Sequence, residues 1–533
     1  MYQCPGCGGG LKFDIPSQQL KCEHCAALVD PYSLDAGISG AESSYYDVTV
    51  FSCPHCGGEI IGPENSAAEF CSFCGASTVL NSRLSKEKRP NYIIPFRKTK
   101  EDCKQAYKSY IGHSFFAPKQ LKDPKYIDSF RGIYMPYWAY YIEQKGSTYL
   151  LASESHRSGD YVIEDHYNLH MNIDAHYKGL SYDASSSFYD NISDAIAPFD
   201  VKDMRAFHPA VISGFYADIA DIDPQIYMDD AMVYANSATF ESAKTIPIFR
   251  ALTIKEPFTL SEQNEVFHTI CKQTDSAMFP VWFMSYRKGN RIAYATVNGQ
   301  TGKIAADFPI SVGKYFLSSL LIAIPIFLLF SLLFSFTAPF TLTLSAILSL
   351  VSSIIYAVQI SEICKKDSMV YDEGIMYKQN RRTTKKNMRK FVKKEPKASI
   401  IPLIIFIIGF IVPFVYGLYI FGSSSYSLSL GASPLFLLVL LVATILSTLA
   451  GNSYVKKYMV KIKSVGFFCS ISAQAVAFLM AVFNPVNDIF YYVAVFYALA
   501  MIICLNVGII RKYNILATRE LPQFNRNGGD DRA

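Results

Sequence analysis

Eight cysteines near the start constrain this chain more than any other feature. Cys4-x2-Cys7 is followed after fourteen residues by Cys22-x2-Cys25, and Cys53-x2-Cys56 is followed after fourteen by Cys71-x2-Cys74. Every cysteine of the second set stands 49 residues after its counterpart, so one unit occurs twice. A CxxC pair wraps a tight knuckle that aims two sulfurs at one point. The insert leaves room for a β-hairpin between knuckles, which is the spacing of a zinc ribbon. Gly8 and Gly57 follow the first knuckles, where a positive φ lets backbone amides turn back toward sulfur. Units this short cannot bury a sufficient core and depend on the bound ion.

Disulfides and a redox CxxC are the competing readings. The chain opens directly on the first knuckle with no secretory leader, which predicts a reducing compartment where thiols persist. No thioredoxin-like βαβ pattern surrounds the pairs. Four thiolates suit tetrahedral Zn²⁺, one ion per ribbon, with rubredoxin-like iron as the alternative metal. His24 and His55 lie inside knuckles, and the complete cysteine sets make them spectators. Residues 1–80 hold only Lys12 and Lys21 against nine acids. Four thiolates also outweigh the charge of the ion they hold. Such a surface repels phosphate, so the ribbons read as platforms for protein partners rather than for nucleic acid.

Composition matters for the other end of the chain. Charged residues make up 18% of it, against about 25% in soluble proteins. Residues 1–311 carry 28 Lys+Arg and 36 Asp+Glu, a net of −8; residues 312–533 carry 22 and 9, a net of +13. Six apolar stretches occupy the basic part, at 315–336, 339–360, 399–421, 433–452, 465–483 and 488–510. Each approaches the ~20 residues needed to cross ~30 Å of hydrocarbon. Lys and Arg gather at 361–398 and 453–464 and at Arg511-Lys512, while the connections near 337, 422–432 and 484–487 have none. The positive-inside rule then predicts a multi-pass cell-membrane protein with both termini cytoplasmic.

Apart from Asp488, which opens the last span, the spans hold no Asp, Glu, Lys, Arg or His, and Gln474 and Asn506 are their notable polar residues. That argues against ion-driven transport and for an anchor. Pro325, Pro402 and Pro413 can kink helices, which leaves a passive channel or a lipid-handling role as an alternative. In the segment 378–397 of the basic loop, Lys378, Arg381, Arg382, Lys385, Lys386, Arg389, Lys390, Lys393, Lys394 and Lys397 face a single acid, Glu395. Against the cytoplasmic leaflet this run predicts binding to anionic lipid headgroups at ~1 kcal/mol per charge.

Between ribbons and spans the chain is aromatic and soluble. Residues 83–131 hold thirteen basic residues against five acids. Within them, 100–116 reads as a helix with Cys103, Tyr107, Tyr110 and Ile111 on its apolar side. This basic stretch suits acidic ribbons, nucleic acid, lipid headgroups or plain solvent. Residues 163–177 alternate as a strand, with Glu164, His166, Asn168, His170, Asn172, Asp174 and His176 on the polar face, most simply a wet one. Residues 280–304 read as a β-meander that turns at 288–290 and 298–302. The two tryptophans open comparable segments, Pro136-Tyr137-Trp138 before Lys145-Gly146 and Pro280-Val281-Trp282 before Lys288-Gly289. These suggest a duplicated hairpin with both indoles as core anchors. No nucleotide-binding, nucleophile-elbow or HExxH motif occurs, so the chain reads as no enzyme. Asp218, Asp221 and Asp223 have no EF-hand register.

The knuckles CPGCGG and CPHCGG, YIIPF at 92–96, GIYMPYW at 132–138, SGFYAD at 213–218, PVWFMSYR at 280–287, YATVNGQTGK at 294–303 and the GGDD tail carry a resemblance over nearly the whole chain. Together they resemble a family of Gram-positive bacterial membrane proteins described as TFIIB-type zinc ribbon-containing. The resemblance implies a scaffold in membrane-stress systems, with phage-shock-protein A or flotillin-like (SPFH) partners.

The expected architecture is therefore multidomain. Two small β zinc ribbons occupy 1–40 and 41–82, followed by an α+β, β-rich cytoplasmic domain at 83–311. An all-α six-helix transmembrane domain spans 312–512 with its basic loop at 361–398, and a cytoplasmic tail fills 513–533. The expected role is a membrane scaffold that displays its ribbons to cytosolic proteins. A membrane-tethered nucleic-acid binder is the alternative.

Overall fold

Long alternating runs of apolar and aromatic residues between 131 and 306 form the strands on which the rest of the molecule is mounted. The structure, a computed structural model, describes residues 2–34, 45–62, 71, 73–74, 81–250, 252–255, 259–288, 291–333, 337–368, 434–457 and 465–520. The first ribbon is a separate three-stranded antiparallel sheet of β1 (Leu11–Asp14), β2 (Gln19–Cys22) and β3 (Leu28–Val29). Its alternation puts Leu11, Phe13 and Leu20 inward.

The second ribbon's hairpin, β4 (Tyr45–Ser52) and β5 (Glu59–Ile61), belongs instead to a thirteen-stranded sheet. β6 (Asn81–Lys88) pairs along β4, and β7 (Tyr92–Ile93) starts the soluble domain. Thr99 and Asp102 form a reciprocal capping box that starts α1 (Lys100–Gly112) where the sequence predicts a helix. Cys103, Tyr107 and Ile111 are buried along it, while Tyr110 is partly exposed against Phe308. A single turn, α2 (Pro124–Ile127), follows.

The spine of the sheet is β8 (Arg131–Ser158), which hairpins at Gly159 into β9 (Tyr161–Asp183). After α3 (Asp190–Ile196) and β10 (Arg205–Ala206), β11 (Tyr216–Ala217) lies parallel to β8. It also pairs with β5, joining the second ribbon to the spine. α4 (Met228–Thr245), β12 (Thr253–Ile254) and α5 (Leu260–Phe267) lead to β13 (Thr269–Lys288). β14 (Arg291–Asn298) and β15 (Ile304–Ala306) complete the expected meander. Its first turn at 289–290 lies outside the described residues.

The expected turn at Lys145-Gly146 does not form, and β8 runs straight through it. A Cβ on Gly146 would come within 2.4 Å of His268 Cδ2, so the glycine serves close approach rather than a turn. The two Trp-bearing segments pair antiparallel with each other, Trp138 opposite Ser276 and Trp282 opposite Gly132. Each indole N–H donates to a backbone carbonyl, Trp138 to Ile222 and Trp282 to Lys98. Trp282 is buried and Trp138 half-buried.

Five of the six expected spans fall on described helices: α6 (Val312–Leu333), α7 (Ala338–Ser368), α8 (Pro434–Lys457), α9 (Val465–Phe483) and α10 (Asp488–Ala517). Among the described residues four are long and apolar enough to cross a membrane, while the apolar part of α9, Phe468–Phe483, is shorter. This marks a membrane protein. The expected span at 399–421 and the whole proposed lipid-binding run at 378–397 lie outside the described residues. α7 to α10 pack through Ala346, Ala477, Ala481 and Ala494, small residues that let helices approach closely. Buried Gln474 donates to the Ala346 carbonyl at 2.6 Å.

The membrane helices are clasped to the sheet. α10 runs past the expected boundary at 512, and β16 (Arg519–Glu520) then pairs with β14 at Arg291 and Ile292. Asn514 exchanges hydrogen bonds with the Ile310 backbone, accepting at 2.6 Å and donating at 2.8 Å.

Candidate metal centres

The knuckles recur with the same backbone bonds. In the first ribbon the Cys4 N–H donates to Gly9 and the Gly8 N–H donates to Cys4. In the second, Cys53 donates to Gly58 and Gly57 to Cys53. Gly8 and Gly57 stand at φ +70° and +71°, the left-handed geometry expected of them. Ala26 takes the same role at φ 57° after Cys25, a position that carries no glycine signal in the sequence.

Each set of four cysteines converges, with all its sulfurs within 4.8 Å of one another. The pairs Cys4–Cys25 and Cys7–Cys22 stand 3.7 and 3.5 Å apart; Cys53–Cys74 and Cys56–Cys71 stand 3.7 and 3.8 Å apart. A disulfide requires about 2.05 Å. Ligand bonds of ~2.3 Å in a tetrahedron separate sulfurs by ~3.8 Å, so both clusters have the dimensions of a four-thiolate metal site. The ligand sets contain no histidine, which leaves His24 and His55 outside both.

Thiol ionisation points the same way. The Cys25 and His24 backbone N–H groups hold the Cys22 thiol down to about 6. Cys7 is pulled down by the Gly9 N–H but pushed up further by Cys25 and Cys22, to about 12. In the second cluster, hydrogen bonds from Cys56, Cys71 and Cys74 favour the Cys53 thiolate, while Cys53 in turn drives Cys56 and Cys71 strongly toward the neutral thiol. Four packed thiols cannot all ionise without a cation among them, and a bound metal supplies that charge.

The two clusters differ in their surroundings. In the first, Cys4 and Cys22 are buried and Cys7 and Cys25 exposed; in the second all four are buried. The first ribbon docks by the Phe13 N–H on Ser213, by Gln18 on the Phe96 carbonyl and by Tyr32 on the Ala206 carbonyl. Tyr2 and Tyr32 also flank His208, with ring centroids at 6.1 and 5.6 Å. The second is enclosed by Phe51, Ile60 and Phe73, with Tyr216 against it, and Tyr294 donates to the Phe73 carbonyl at 2.6 Å. No local sequence signal marked Tyr294 or His208 as ribbon contacts.

The other candidates do not converge. His166, His170 and His176 stay exposed along β9, where His176 meets Asp174 at 3.1 Å. Asp218 is buried and accepts from the hydroxyls of Ser185 and Ser187, and Asp221 accepts from Ser186. Those serines engage the carboxylates that a cation would need. Among the described residues only the two cysteine sets form a metal-ligating group.

The chain is 26% identical over 317 residues to the uncharacterized protein YdjG of Bacillus subtilis strain 168, a match that covers 59% of this chain and 91% of that protein. No family model matches the chain. No solved structure matches it either.

Proposed function

We propose that the protein is a polytopic membrane scaffold that presents two zinc-stapled ribbons and a β-rich domain to cytosolic protein partners. The observation that carries this reading is mechanical continuity. The second ribbon hydrogen-bonds through β5 and β11 into the sheet that also receives β16 from the last membrane helix. A partner held on this head is therefore held at a set position relative to the bilayer. The acidity of residues 1–80 supports protein over nucleic acid as that partner. Zn²⁺ is the metal of choice for four thiolates in a closed site, since it needs no redox partner and no open coordination position. The charge distribution supports both termini on the cytoplasmic side of a six-span anchor. By the resemblance of its motifs to zinc-ribbon membrane proteins, the partner class is phage-shock-type or flotillin-like.

The test is a cross-linked pull-down of the full chain from native membranes, with protein and nucleic acid both identified. A stoichiometric protein partner lost from Cys7→Ser in the first ribbon, with the sheet still folded, supports the scaffold. Full retention of every partner by Cys7→Ser and by Cys56→Ser refutes the ribbons as the platform. Recovery of nucleic acid alone selects the tethered-binder reading.

A further inference from the structure

The segment after α1, His113 to Lys122, has no role in either metal centre, yet its position is specific. The Ser311 N–H donates to the Phe116 carbonyl at 2.9 Å, and Lys314 Nζ donates to the Ala117 carbonyl at 2.5 Å. The Phe116 ring lies 5.6 Å from that of Tyr315, which sits ~4.5 Å along α6 from its first residue. The apolar window of α6 begins at Val312. The loop is thus pinned to the first turn of a membrane-crossing helix. Phe115 packs edge-on against Phe116 and leaves 66% of its surface exposed.

The charge along the chain on either side of this phenyl pair is of one sign. From Cys103 to Lys122 the chain contains Lys104, Lys108, Lys119 and Lys122 and no acid. Lys108, Lys119 and Lys122 are exposed, while Lys104 is occupied by Asp128 at 2.8 Å. Lys314 lies in the first turn of α6, and Arg511 and Lys512 lie near the end of α10, whose Asn514 bonds the Ile310 backbone just before α6. Asp123 and Asp307 bound the patch. Exposed aromatic rings beside cations, at the level where a helix enters hydrocarbon, match the chemistry of a bilayer surface: apolar beneath, anionic headgroups above.

We propose that this loop is an interfacial anchor for anionic lipid. Phe115 and Phe116 seat at the boundary between headgroups and acyl chains, and Lys108, Lys119 and Lys122 engage lipid phosphates. The anchor fixes the tilt of the cytosolic head through its contacts at residues 311–315. It rests on α6 crossing the bilayer and is independent of what the ribbons bind.

The experiment is Phe115→Trp in the full chain, reconstituted in nanodiscs with and without phosphatidylglycerol. Trp138 and Trp282, which pair within the sheet, provide a background subtracted with the unsubstituted protein. The added indole is expected to emit blue-shifted and to lose about half its intensity when the lipid chains are brominated near the headgroup. That quenching should fall in phosphatidylcholine alone and in the Lys108→Gln/Lys119→Gln/Lys122→Gln variant. A water-like emission that iodide quenches and bromolipid does not would overturn the anchor. Equal quenching in neutral and anionic bilayers would overturn the headgroup assignment. Protection of the indole by an oligonucleotide at ~50 mM salt instead of by lipid would reassign the surface to nucleic acid and overturn it as well.

Discussion

The two ribbons share ligands, spacing and knuckle geometry but sit in the molecule differently. The first is a small sheet of its own, laid on the body by side chains and a few backbone bonds, with two of its four sulfurs open to solvent. The second lends its hairpin to the main sheet and closes all four sulfurs behind Phe51 and Phe73. Duplication thus yields one peripheral site and one structural keystone. Ligand identity alone cannot tell them apart, because exposure is a property of the neighbours rather than of the cysteines.

The largest expected effect tests the keystone. Cys56→Ser should cost more than about 4 kcal/mol and prevent stable folding of the soluble domain. Cys7→Ser should remove one bound metal ion and leave the main sheet intact, as read by metal content and thermal unfolding in detergent. Equal melting of the two variants would break the comparison.

A cavity sharpens it from the other side. Leu20 is fully buried in the first ribbon, so Leu20→Ala should cost that ribbon about 2–5 kcal/mol. Hydrogen exchange should show the loss at β1 and β2, with β4 and β5 still protected; loss at β4 would mean the ribbons fold as one unit. Metal removal gives a smaller contrast. A chromophoric chelator should withdraw the two ions in separate phases about tenfold apart in rate, and Cys7→Ser should abolish the fast one. A single phase for both ions would refute the difference in access.

Tyr294→Phe removes the hydroxyl that donates to the Phe73 carbonyl and should cost about 1–3 kcal/mol, because that buried acceptor then loses a donor. An unchanged melting temperature would show that the contact does not brace the second cluster.

The smallest effect is a pH dependence confined to the first ribbon. Burial, with Arg89 nearby, lowers the His208 pKa below its usual 6.5, against the opposing pull of the Leu34 backbone and Asp30. The unfolded chain therefore takes up a proton that the folded one resists, and stability rises with pH across that window. Docking should be complete above about pH 6.5 and weaken as pH falls below it. Protection of β1 and β2 should follow that course, and His208→Gln should flatten it. An unaltered profile in that variant would exclude His208 as its source.

Much of this was legible from residues alone. The two cysteine sets, the turn glycines Gly8 and Gly57, the start of α1 at its capping box and the meander after Pro280 all depend on neighbours close along the chain, and local pattern predicts such things. The turn expected at Lys145-Gly146 fails for the converse reason. A glycine looks the same whether it bends the chain or makes room, and only His268, brought alongside by β13, distinguishes the two.

The sequence by itself thus determined what can bind metal and what can enter a membrane, since thiolate spacing and apolar length are short-range quantities. Tertiary structure alone decided which metal site is enclosed, how the head joins the anchor and where the basic, aromatic loop lies. Those outcomes depend on Ile61 meeting Ala217, Phe73 meeting Tyr294, Arg291 meeting Glu520 and Phe116 meeting Ser311. These pairs are separated by long stretches of chain, and the energy that joins them is packing between surfaces that no local period encodes.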